Sequence, residues 1–93
     1  MGDTVGIAVL IFDEPGWLTM CRESDDGIDT PYEEYMAEVE WHAGELASRG
    51  FLVHRVDCDA VELIEWCRRQ GRPLDGRARA EYGAMLAQRR SRH

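Results

Sequence analysis

A chain of 93 residues with 44% hydrophobic residues and a net charge of −7 holds apolar material for one core and not for two. A domain of this size buries roughly 60% of its unfolded surface, and no apolar run approaches the ~20 residues of a membrane-spanning helix. All eleven basic residues are arginines, which excludes chemistry that needs a lysine, such as a Schiff base or a P-loop lysine.

Residues 5–12, "VGIAVLIF", form a nearly continuous apolar run rich in β-branched side chains. Such a run predicts a strand buried on both faces, at the centre of a sheet. "DEPG" at 13–16 breaks it. In "WLTMCRE", residues 17–23, Trp17, Thr19 and Cys21 alternate with Leu18, Met20 and Arg22, which predicts a second, edge strand.

"SDDGID" at 24–29 is an acidic loop. "TPYE" then predicts a helix start, with Thr30 as cap, Pro31 in the first turn and Glu33 completing a capping box. The helix runs to about Ser48 or Arg49, and Gly50 stops it. Its core stripe is Tyr32, Tyr35, Met36, Val39, Ala43, Leu46 and Ala47. Trp41 lies opposite the middle of that stripe.

Residues 51–57, "FLVHRVD", predict a third strand. Asp59 and Glu62 repeat the capping pattern and open a helix that ends near Gly71. A last helix covers about 76–89, and the basic tail 89–93 is expected to fray. The expected fold is a single α/β domain over residues 1–93, of α+β type. Its order is ββαβαα, with a three-stranded, mainly antiparallel sheet of order 2-1-3 covered by helices on one face. Order 1-2-3 is the alternative.

Three cysteines without a C-x-x-C pair fit a reducing compartment, and the N-terminus has neither a basic segment nor a long apolar core. The expected location is therefore the cytoplasm. Arginine-only basicity with many Ala and Gly points to a G+C-rich genome, bacterial or phage.

No nucleophile elbow, phosphate loop or zincin motif is present. Asp13 and Glu14 follow the central strand, where α/β enzymes often place carboxylates, and His54 is their only candidate helper. Cys58 and Cys67 with His54 or His42 form a weak zinc candidate without a recognised spacing. Glu38, His42 and Glu45 share one helix, which falls short of the paired helices of a di-iron site. No cofactor is expected. Arg68, Arg69, Arg72, Arg77 and Arg79 could hold phosphate, but helix-dipole compensation and pairing with the protein's own acids explain them better.

Charge is divided along the chain. Residues 1–47 carry twelve acids and one arginine, a net −11; residues 48–93 carry six acids and ten arginines, a net +4; together these give −7. The acidic half contains Asp25, Asp26, Glu33, Glu34, Glu38, Glu40 and Glu45, with Trp41 among them. An aromatic anchor with a charged rim has the make-up of a protein interface. The expected function is a small, non-enzymatic binding module that docks this acidic helix on a basic surface of a nucleic-acid-handling protein. By composition it is compared with anti-CRISPR or anti-restriction inhibitors from phages and mobile elements. Neither a membrane nor direct nucleic-acid binding is expected. The alternatives are a homo-oligomeric structural or regulatory protein that buries Trp41 or an uncovered face of the sheet between copies, a homodimer being one such case, and a small enzyme using Asp13 or Glu14 with His54.

Overall fold

A computed structural model describes residues 5–90. Along the chain it has β1 (Gly6–Ile11), α1 (Glu14–Glu23), α2 (Tyr32–Ser48), β2 (Leu52–Asp57), α3 (Ala60–Gln70) and α4 (Gly76–Arg90). Residues 89 and 90 of the expected basic tail are the end of α4, and residues 91–93 lie outside the described ones.

The strand predicted at 17–23 is a helix. Asp13 caps it, its side chain accepting from the Gly16 amide at 2.8 Å, and Pro15 sits in the first turn. An N-cap followed by proline starts a helix because proline has no amide to leave unsatisfied there. The buried residues are Trp17 and Met20, with Cys21 beside them. A three-then-four spacing lies on one helix face, whereas alternation would have buried Thr19.

The expected three-stranded antiparallel sheet is therefore corrected to two strands. β1 and β2 pair in parallel, in register from Gly6 opposite Leu52 to Ile11 opposite Asp57. With α1 and α2 both in the connection, β2 returns in the direction of β1, as a crossover requires. The helices also cover both faces rather than one. On the α4 side, a Cβ added to Gly83 would meet Leu10 Cγ at 3.2 Å and Ala8 Cβ at 3.7 Å, so α4 lies close on β1 there and a larger residue would push the Leu10 side chain by a few tenths of an ångström. On the α2 side, Arg55, which pairs with Val9 in the register, reaches Glu40 of α2. Ala8 and Leu10 alternate with Val9, so α4 and α2 lie on opposite faces.

Thr30 does not cap α2. The helix starts after Pro31 with no side-chain cap, and the Thr30 carbonyl instead accepts from Trp17 Nε1 at 2.6 Å. At the other end the Gly50 amide donates to the Ala47 carbonyl. In α3, Asp59 accepts from the Val61 and Glu62 amides, and Gly71 closes the helix at φ 64°, a left-handed angle glycine adopts without steric cost.

Trp17 stacks on Tyr35 with ring centroids 3.9 Å apart and planes 9° from parallel, and Phe12 packs tilted against both. Leu63 and Met20 complete the core without any exposure. The Tyr35 hydroxyl accepts from the Phe12 amide at 3.1 Å and donates to the Leu10 carbonyl at 2.8 Å. Burial raises its pKa, so it stays a neutral donor. Tyr35→Phe should cost about 1–3 kcal/mol in urea denaturation, because it leaves a buried amide without a partner. Tyr32→Phe should cost less than ~1 kcal/mol, since Tyr32 is half-buried and its contact with the Phe12 carbonyl is 3.3 Å long.

Candidate functional site

A cleft of about 620 Å³ opens at the carboxyl ends of the two strands. Its walls include Asp13, Pro15 and Thr19 on one side and Asp57, Cys58, Asp59 and Glu62 on the other. This is where open α/β sheets commonly hold ligands, and two helix N-termini meet there. Several of their donors are already engaged. Asp13 holds the Gly16 amide and Asp59 holds the amides of Val61 and Glu62. The Thr19 hydroxyl donates back to the Pro15 carbonyl.

The Cys58 thiol is pushed up to about 12, chiefly by burial and further by the carboxylates of Asp59 and Glu62. Its thiolate, the nucleophilic form, is therefore scarce near neutral pH. Iodoacetamide at pH 8 should modify Cys58 at least about a hundredfold more slowly than free cysteine, read by mass spectrometry of the native protein.

His54 does not serve Asp13 or Glu14. The register sets it opposite Ala8, five residues before Asp13, which is about 16 Å along the strand direction at ~3.3 Å per residue. Its ring lies instead near Gly6, whose added Cβ would meet His54 Nε2 at 3.0 Å. The proposed acid–base pair is not assembled. The zinc candidate does not converge either: Cys67 is buried in the core, Cys58 lines the cleft and His54 lies within β2, opposite Ala8. Among the described residues no three His, Cys, Asp or Glu side chains are grouped to hold a metal ion.

Three arginines of the basic cluster are engaged within the fold. Arg72 lies over the Trp66 ring at 5.2 Å and pairs with Glu81, which Arg77 also approaches at 3.8 Å. Arg79 pairs with Asp26 at 2.7 Å and donates to Ser24 Oγ, and this guanidinium holds the Asp26 carboxyl below its ordinary value. Arg68 and Arg69 are exposed in the last turn of α3, where cations offset the helix dipole.

The predicted partner-binding residues divide into three groups. Asp25 and Asp26 fasten the loop after α1 to the start of α4. Asp25 Oδ2 accepts from the Leu74 amide at 2.8 Å while its own amide donates to the Leu74 carbonyl. Glu33 and Glu40 lie on the β2 side of α2, and Glu40 takes Arg55 through both carboxylate oxygens at 2.9 and 3.3 Å. That contact holds the Glu40 carboxyl below its ordinary value.

The third group is Glu34, Glu38, Trp41 and Glu45, all exposed, with Trp41 at 62%. At about 100° per residue Glu38 and Glu40 point to opposite sides of Val39, and Glu40 marks the β2 side. Glu34, Trp41 and Glu45 fall on the Glu38 side. Tyr35 leans the same way, to the β1 backbone at Leu10 and Phe12. Glu38 therefore leans toward the outer edge of β1, whereas Trp41, about 160° round the helix from Val39, points away from the sheet. The Trp41 ring meets His42 edge-on, with centroids 5.1 Å apart, and His42 lies on the same flank.

Residue spacing alone found the acidic flank but missed what it borders. On the Glu38 side, between α2 and α4, runs a groove of about 230 Å³ along the outer edge of β1, lined by apolar side chains and Arg79 and by none of Glu34, Glu38, Trp41 and Glu45. Only the sheet topology shows that no strand among the described residues pairs with this edge. No protein-family model matches the chain, and neither a curated protein nor a solved structure does. No helix of the described residues is long and apolar enough to cross a membrane.

Proposed function

We propose that this chain is a non-enzymatic protein-binding module. It docks the flank of α2 carrying Trp41, Glu34, Glu38 and Glu45 on a basic surface of a nucleic-acid-handling protein. The observation that carries the reading is Trp41, an indole 62% exposed on a helix whose other aromatics are buried or half-buried. Glu34, Glu38 and Glu45 around it make no ion pair with the described residues, whereas Glu40 on the opposite flank is paired with Arg55. An indole anchor within uncommitted carboxylates suits a basic partner. Carboxylates spaced along a helix can occupy positions built for phosphates. The biological class we assign is a cytoplasmic inhibitor from a phage or mobile element, of the anti-CRISPR or anti-restriction type.

Capture from a bacterial lysate tests this, with the wild type and a Trp41→Ala/Glu38→Arg variant immobilised side by side. A nucleic-acid-handling protein held by the wild type at low salt, released at high salt and missed by the variant is the expected result. Identical retention by both columns would remove α2 from the interface and the reading with it.

A further inference from the structure

We infer that the partner contributes an extended segment which adds as a strand to the open edge of β1, with basic and apolar side chains in alternation. This rests on the reading of α2 as the docking flank and specifies what that flank receives.

The backbone supplies the first half of the argument. The Val5 and Ile11 carbonyls accept from the Leu52 and Cys58 amides, so odd-numbered residues of β1 face β2. By alternation Ala8 and Leu10 turn their amides the other way. No strand among the described residues lies on that side. Tyr35 engages this outer edge only at its end, at Leu10 O and Phe12 N. The stretch before it faces the groove between α2 and α4, which holds Val9, Leu10, Val39 and Ala80. A two-stranded parallel sheet with an open edge is a template for strand addition.

The two walls supply the second half. An added strand sends successive side chains to opposite faces. On the α2 face they rise beside Glu38, the carboxylate that leans toward this edge, which suits arginine or lysine, while Trp41 lies farther round the helix. On the α4 face they meet the exposed small residues Ala80 and Ala84, which leave room for a branched apolar side chain. Charge decides against a second copy of this chain as occupant. Pairing β1 with its own copy keeps α2 beside α2 and sets two like-charged flanks together.

The probe is a capped, labelled hexapeptide alternating arginine and valine, titrated into the full chain at low salt, with two further versions N-methylated at all arginines or at all valines. We expect the unmodified peptide to bind, and one methylated version to lose at least tenfold in affinity while the other binds normally, since alternate amides face β1. The Ala8 and Leu10 amides should slow in hydrogen exchange on binding, and Glu38→Arg should weaken binding at least tenfold. Equal binding by all three peptides, with Glu38→Arg still harmful, overturns strand addition and leaves the acidic docking flank standing. No binding of the unmodified peptide also overturns strand addition. Protected Ala8 and Leu10 amides in a peptide-free dimer would overturn it in favour of self-pairing. Binding indifferent to both Glu38→Arg and Trp41→Ala counts against the flank and the inference together.

Discussion

Replacing Trp17 with alanine should cost the fold about 3–5 kcal/mol, the range for deleting a buried large aromatic. Trp17 is 6% exposed, stacks on Tyr35 and donates its indole N–H to the Thr30 carbonyl. Three losses coincide: apolar burial, the stacked ring and the tie between α1 and the segment leading into α2. Single domains have about 5–15 kcal/mol in all, so this one change removes a large share of the stability. The neighbours of Trp17 turn the same experiment into a test of the helix. Met20 has no exposure, and Met20→Ala should cost about 2–5 kcal/mol. Leu18 is 56% exposed, and Leu18→Ala should stay within about 0.5 kcal/mol. Urea midpoints of the three variants measure this. A strand over 17–23 would instead give large effects at Trp17, Thr19 and Cys21 and a small one at Met20.

That contrast explains why α1 was not legible from alternation. Trp17 and Cys21 satisfy the strand period and the helix period alike, and only Met20 against Thr19 separates them. The deciding signal was local and lay outside the run: Asp13, an N-cap, two residues before Pro15. The other elements were readable because long stripes are not degenerate. The α2 stripe from Tyr32 to Leu46 admits one period, and its phase put Trp41 outside, where it is found. The misread segment then propagated. Given three strands, the most apolar one was assigned the centre; once 17–23 is helix, β1 has a single neighbour. An apolar run states that both faces of a strand are covered but says nothing about its edges, so the open side of β1 could not be read from residues 5–12. The Asp25–Leu74 and Asp26–Arg79 ties were equally hidden, because their partners stand 49 and 53 residues away.

Trp41→Ala should weaken partner binding about thirtyfold or more, the cost of losing a hot-spot aromatic of ~2 kcal/mol. It should leave the urea midpoint nearly unchanged, since an indole 62% exposed adds little to the core. Glu38→Arg should act differently. It sets a cation where the partner is basic, so it should slow association and lose much of its effect at high salt, whereas the Trp41 defect persists. Glu40→Ala is the control on the other flank. It removes the pairing with Arg55, yet it should leave affinity within about twofold, because an isolated surface charge distant from an interface changes little. Interferometry at two salt concentrations gives both rates for all three proteins. The two flank residues are one turn apart and share a partner surface, so their effects should couple: the double variant should fall short of the product of the single defects. Full additivity would place Trp41 and Glu38 at separate contacts. Equal loss from Glu40→Ala would mean that the whole acidic helix acts through general charge, with no face of α2 preferred.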